Sequence, residues 1–260
     1  MLILVTNDDG IHSPGLQTLA DQLRRCGEVV VVAPDRERSA VGHALTLHSP
    51  LRAEELRPGW FAVDGTPTDC VNLGIHGLLP RRPDLVVSGI NRGGNLGDDI
   101  TYSGTVSAAM EATLMGVPAF AVSLAAVRFL PEDFLEAARF SSSLANVVLE
   151  KGLPSDTFLN VNVPPGFLQK VELTRQGKRL YNEAVVEKLD PRGRKYYWIG
   201  GGELGFENDP GTDFHAVHAG AVSITPLHLD MTNYRSFSSL AEWKLEQLAE
   251  VPPVLKGEEA

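Results

Sequence analysis

Leu2-Ile3-Leu4-Val5-Thr6-Asn7-Asp8-Asp9-Gly10 begins as an unbroken apolar run and ends in two adjacent carboxylates and a glycine. A run rich in Leu, Ile and Val, without polar alternation, predicts a strand covered on both faces. Ser13-Pro14 follows as a helix cap with proline at the first helical position. Leu16, Leu19, Ala20 and Leu23 then share one face, and Gly27 supplies a stop. Val29–Ala33 is a second apolar run. Strand, helix and strand in about 30 residues make a right-handed βαβ unit, which commits the sheet to parallel pairing.

The same alternation continues outward. Phe61–Val63, Leu85–Ser88, Ala119–Ser123 and Thr157–Val163 read as further strands. Between them, Thr66-Pro67-Thr68-Asp69 has the form of a capping box ahead of Val71, Ile75 and Leu78. Another helix runs from about Thr105 to Gly116, and another starts at Pro131-Glu132-Asp133. The expected class is α/β, a mostly parallel sheet with helices on both faces. Beyond Val163 the helical patterning stops. Glu183–Leu189 and Lys195–Ile199 flank Asp190-Pro191-Arg192-Gly193 and predict a hairpin carrying Tyr196-Tyr197-Trp198. Its aromatics suit either a subunit contact or packing on its own core. Ala219–Thr225 reads as a late strand returning to the core, and Ser236–Glu250 as an amphipathic terminal helix. Residues 1–170 are the expected catalytic core and 171–260 a C-terminal extension.

Composition narrows the function. The 260 residues carry 23 Lys+Arg against 33 Asp+Glu, a formal charge of −10. That balance disfavours polymeric nucleic acid and anionic membranes as main partners. No apolar run approaches the ~20 residues of a membrane span. The first residues lack a basic leader, and two cysteines are too few for a disulfide framework, so a cytoplasmic protein is expected.

In an open α/β sheet, ligands sit beyond the carboxyl ends of the strands. No Gly-x-Gly-x-x-Gly follows the first strand, and no Walker loop is present. Asp8 and Asp9 there would repel a phosphate unless a cation lay between, and hard oxygen ligands suit Mg²⁺, Mn²⁺ or Ca²⁺. The second strand leads into Pro34-Asp35-Arg36-Glu37-Arg38-Ser39, and the fourth into Ser88-Gly89-Ile90-Asn91-Arg92-Gly93-Gly94-Asn95. If the strand order is 3-2-1-4, Asp8, Asp9, Ser39 and Asn91 converge on one cation. Ser103-Gly104-Thr105 then opens a helix, whose free N–H groups and dipole favour an anion. His43 is a candidate proton donor or a loop-packing residue. Cys70 reads as core and Cys26 as inert.

Five segments together resemble the stationary-phase survival SurE family: Leu4–Ile11, Ala33–Ala40, Gly65–Val71, Ser88–Gly93 and Tyr102–Ser107. The resemblance implies a Rossmann-like three-layer α/β/α domain with C-terminal extensions that build dimers or tetramers. It also implies a phosphatase that uses one divalent metal ion, Mg²⁺ or Mn²⁺, to hydrolyse nucleoside 5′-monophosphates, with 3′-monophosphates as a further substrate class. The metal ligands it implies are Asp8, Asp9, Ser39 and Asn91. The phosphate contacts are Asn95, Ser103, Gly104 and Thr105, with Asp8 and Asp9 as catalytic carboxylates. Two nucleophiles stay open, a metal-bound water with Asp8 or Asp9 as its base, or Asp8 itself through a phospho-aspartate. A sensor that binds metal and nucleotide without turnover is the alternative function.

Overall fold

A computed structural model describes residues 1–166, 170–181, 185–199 and 204–250. It divides into two units, Met1–Leu229 and Asp230–Ala260. In chain order the first unit begins with β1 (Leu2–Thr6), α1 (Pro14–Leu23), β2 (Glu28–Pro34), β3 (Ala53–Arg57), β4 (Trp60–Val63) and α2 (Pro67–Leu73). It continues through β5 (Leu85–Arg92), α3 (Gly104–Leu114), β6 (Ala119–Leu124), α4 (Pro131–Lys151) and β7 (Thr157–Val163). One nine-stranded sheet runs β3-β4-β2-β1-β5-β6-β7 and then takes two later strands, β13 and β8. The run from β4 to β7 is parallel throughout. The central order β4-β2-β1-β5 is the 3-2-1-4 arrangement on which the predicted convergence depended.

The apolar runs divide by alternation. Ile3, Val5, Val31 and Val87 face a core completed by α1 and α4 through Leu16, Leu19, Leu23, Phe134 and Ala138. Leu2, Leu4, Val32 and Val86 face the opposite core, closed by α2 and α3 through Cys70, Val71, Val106 and Ala109. Both faces are thus dry, which is why these strands show no polar alternation. The caps form as their residues dictate. Ser13 accepts from the Leu16 amide, and Thr66 with Asp69 makes a reciprocal capping box.

The later part of the unit comprises β8 (Val171–Leu173), β9 (Arg179–Tyr181), β10 (Val185–Leu189), β11 (Lys195–Ile199), β12 (Leu204–Phe206), α5 (Asp213–His218) and β13 (Val222–His228). The hairpin is present as β10–β11, with residues 182–184 of its first arm outside the described residues. Helical patterning does not stop after Val163. α5 is a short helix capped by the Thr212 side chain, too brief to show a periodic stripe. The late strand lies three residues further on than the sequence suggested, because Ala219 and Gly220 close α5 while Val222–His228 pair with β7. Ala53-Glu54-Glu55-Leu56-Arg57 shows neither an apolar run nor apolar alternation, because β3 is an exposed edge strand.

In the second unit the expected helix over Ser236–Glu250 is not continuous. α6 (Phe237–Ala241) stops at Glu242, Lys244 turns to φ 50°, and a 3₁₀ segment follows at Leu245–Glu250. A short stretch holding Ser238, Ser239 and a β-turn-like break has too little helix propensity to sustain four turns. No described helix in either unit is long and apolar enough to cross a membrane.

Candidate active site

The loops after β1, β2 and β5 meet at the carboxyl edge of the sheet, and backbone bonds hold them in register. Ile11 N–H donates to the Pro34 carbonyl at 2.8 Å, and Arg38 N–H to the Asp8 carbonyl at 2.7 Å. Gly10 has φ 94°, and a Cβ there would lie 2.9 Å from the Arg36 carbonyl carbon. Only glycine lets the first two loops cross at that separation. Asn7 braces the turn from inside, donating to the Gly10 carbonyl at 3.1 Å and to Ser13 Oγ at 2.8 Å.

These loops and the start of α3 enclose a cleft of about 390 Å³ whose lining includes Asp8, Asp9, Ser39, Asn91, Asn95 and Ser103. The predicted cation quartet therefore faces one cavity. Asp8 is 5% exposed. Thr105 Oγ1 donates to its Oδ1 at 2.5 Å and Thr105 N–H to its Oδ2 at 3.2 Å. Burial, reinforced by the neighbouring Asp9 charge, pushes the Asp8 pKa up to about 6. Burial also raises Asp9, against the lowering effect of Arg92. Arg92 donates to Asp9 through its backbone N–H at 3.1 Å and its Nε at 3.4 Å. Asn91 gives Nδ2 to the Gly93 carbonyl at 2.8 Å, which turns its Oδ1 away from that bond. Ser39 donates its hydroxyl to Glu37 Oε1 at 2.7 Å, leaving oxygen lone pairs available.

Among the described residues no group of three or more His, Cys, Asp or Glu side chains is arranged to hold a metal. A cation here would rest on two carboxylates completed by a hydroxyl and an amide oxygen. That donor set fits Mg²⁺ or Mn²⁺, and two crowded carboxylates with raised pKa values are a ready place for positive charge.

The predicted phosphate residues divide. Ser103 and Asn95 line the cleft. Gly104 lets α3 approach the carboxylate, since a Cβ there would stand 2.9 Å from Asp8 Cβ and 3.1 Å from Pro67 Cγ. Thr105 is fully buried, and its amide and hydroxyl both go to Asp8, so it holds the carboxylate and does not line the cleft. Asn95 is braced from behind. Its N–H donates to Asn162 Oδ1, its carbonyl accepts from Asn160 and Asn162, and its Nδ2 donates to Ser123 Oγ. His43 bonds Glu111 at 2.7 Å and does not line the cleft, in keeping with loop packing. Cys70 is buried core, and Cys26 lies against Ser142. Gly-x-Gly-x-x-Gly does occur at 200–205, but Leu204–Phe206 is a strand, so the segment does not lead into a dinucleotide-binding helix.

Sequence reasoning missed two parts of this site. Glu37 and Arg92 stood inside the quoted motifs with no role assigned to them; they lie 3.6 Å apart at the cleft. Asp213 gave no signal beyond a capping threonine before it. It is fully buried and accepts the amides of Gly97, Gly177 and Phe214, each at 2.8 Å. It thereby ties the segment after β8 to the wall of the cleft.

Residues 3–183 match the family model described as survival protein SurE. A protein named 5′-nucleotidase SurE from Syntrophotalea carbinolica is 69% identical over 245 residues, spanning 94% of this chain and 98% of that protein. One of the same name from Geobacter sulfurreducens is 64% identical over 248 residues, spanning 94% of each. The crystal structure of the SurE protein from Aquifex aeolicus matches with a TM-score of 0.83 at 44% identity, over 94% of this chain and all of that one. With the motifs, the sheet order and near full-length identity in agreement, the chain belongs to the SurE survival-protein family.

Proposed function

We propose that the chain is a divalent-metal-dependent phosphomonoesterase that hydrolyses nucleoside 5′-monophosphates, and 3′-monophosphates as well, to nucleoside and inorganic phosphate. The observation that carries this reading is the meeting of Asp8, Asp9, Ser39 and Asn91 with the first turn of α3 around one cleft. The names of the relatives support the substrate class. Asp8, Asp9, Ser39 and Asn91 are the residues that would hold a single Mg²⁺ or Mn²⁺. When bound, that ion supplies positive charge to the phosphoryl oxygens and makes water a better nucleophile.

The chain's own groups do the rest. Ser103, Asn95 and the α3 terminus orient the phosphate. Thr105 fixes both Asp8 oxygens, which disfavours attack by Asp8 itself. Water oxygen bonds to phosphorus as the ester P–O bond breaks. The water proton passes to Asp8, and the departing ribose oxygen takes a proton from solvent.

The extension over 171–260 is assigned to homodimer or homotetramer formation, supported by exposed Tyr197 and Trp198 on the β10–β11 hairpin. A cytoplasmic location is supported by the two free cysteines. The test is phosphate release from a nucleoside monophosphate with Mn²⁺ or Mg²⁺ and its abolition by a chelator. Binding without release under every divalent metal would replace the enzyme with the sensor.

A further inference from the structure

Among the described residues lining the cleft, Arg92 is the only basic one, against Asp8, Asp9, Glu37 and Asp99. Asp99 has its own counter-ion, since Arg179 Nε donates to it at 3.0 Å. Asp8 and Asp9 together match one divalent cation. Glu37 is left, and its partner is the Arg92 guanidinium at 3.6 Å. A phosphate dianion entering this cleft therefore needs donors beyond the cation, and most of the obvious ones are engaged, which leaves the Ser103 hydroxyl, one Nδ2 hydrogen of Asn95 and one α3 amide. The Thr105 amide goes to Asp8 and the Val106 amide to Ser103 Oγ, leaving Gly104 alone among the first three amides of α3. Asn95 and Asn91 each direct Nδ2 at a protein oxygen. Arg92 is 42% exposed, and Nη1 has no partner among the described residues.

From this we infer that Arg92 contacts the phosphoryl group as a fixed cation. It would occupy the role that a second metal ion fills in two-metal phosphatases. Asp9 and Glu37 hold the guanidinium from two sides, so its planar fork enters the reaction already oriented. Arg92 keeps its proton throughout and donates hydrogen bonds to oxygens whose charge grows as the ester bond breaks. The proposal rests on the phosphatase reading and adds no covalent step to it.

The test compares wild type, Arg92→Gln and Arg92→Lys, with thermal melts to check folding. Calorimetry with Mn²⁺ reads metal binding, and calorimetry with inorganic phosphate on the Mn²⁺-loaded protein reads the anion site. The expected result for Arg92→Gln is one Mn²⁺ per chain with affinity changed less than about 3-fold. Phosphate binding should weaken at least about 10-fold, and kcat should fall by about 10²–10³-fold, the scale of losing one preorganised donor to developing charge. Arg92→Lys should fall between the two, and added guanidinium should restore part of the Arg92→Gln rate. If excess Mn²⁺ restores full kcat to Arg92→Gln, Arg92 acts only by holding Asp9 and the inference fails. Unchanged phosphate affinity and rate would also overturn it. A wild type that binds phosphate without turning over ester removes the phosphatase reading instead, and the two phosphate affinities still decide the role of Arg92.

Discussion

Asp8 and Asp213 are both buried carboxylates, and burial raises the pKa of each, yet their surroundings differ in kind. Asp213 accepts three backbone amides, from Gly97, Gly177 and Phe214, with no second carboxylate among the causes of its shift. Asp8 has one hydroxyl and one amide from a single residue, and Asp9 stands beside it. A saturated carboxylate cross-links loops. An undersupplied one next to another negative charge would be relieved by a cation and otherwise costs stability.

The sharpest way to break the contrast is to neutralise each. Asp8→Asn or Asp9→Asn should lower nucleotidase turnover by at least about 10³-fold while near-native circular dichroism persists. Turnover within tenfold of wild type in both would move the chemistry away from this loop. Asp213→Ala should act the other way, since it strands three buried amides at about 1–3 kcal/mol each. A loss of roughly 4 kcal/mol in urea unfolding is expected, with any remaining folded protein still binding Mn²⁺.

A third comparison uses pH on the metal-free protein. The Asp8 pKa of about 6 in the fold exceeds its ordinary value of 3.8. Its contribution is therefore fully present below 3.8 and lost as pH rises through about 6. The size is about 3 kcal/mol at 1.36 kcal/mol per unit. Glu111 runs oppositely. The His43 hydrogen bond lowers its pKa, so its contribution holds above 4.5 and fades as pH falls through the lowered value. Urea midpoints between pH 4 and 8 should show the Asp8 decline, and both saturating Mn²⁺ and Asp8→Asn should flatten it. A decline unaltered by either would assign it elsewhere. Smallest of all, Gly104→Ala should lower turnover about 10²-fold with a stability loss of about 1–3 kcal/mol, because the new methyl displaces Asp8 and not the fold. Equal loss of both would make Gly104 a packing residue.

The contrast also explains what the sequence could disclose. Parallel strands buried on both faces announce themselves as continuous runs such as Leu85–Ser88, whereas the 3-2-1-4 order of the first four is a condition that the sheet satisfies. The meeting of Asp8, Asp9, Ser39 and Asn91 at one cleft was legible because strand ends locate loops. Asp213 was not, because two of its three partners lie 36 and 116 residues away in sequence and all three are backbone. Side-chain type carries no record of which amides it will meet. Arg92 failed for a different reason: one charged residue in a loop looks the same whether it is solvated or paired. The terminal segment was misread because an apolar stripe at Leu240, Leu245 and Leu248 specifies a helix only if something buries it.

Asn95 has a thermodynamic consequence. Its main chain is fastened at both N–H and carbonyl by Asn160 and Asn162, and its side chain by Ser123. That wall of the cleft has no rotamers left to freeze when a ligand arrives, so its share of the entropy of binding has already been taken up in folding.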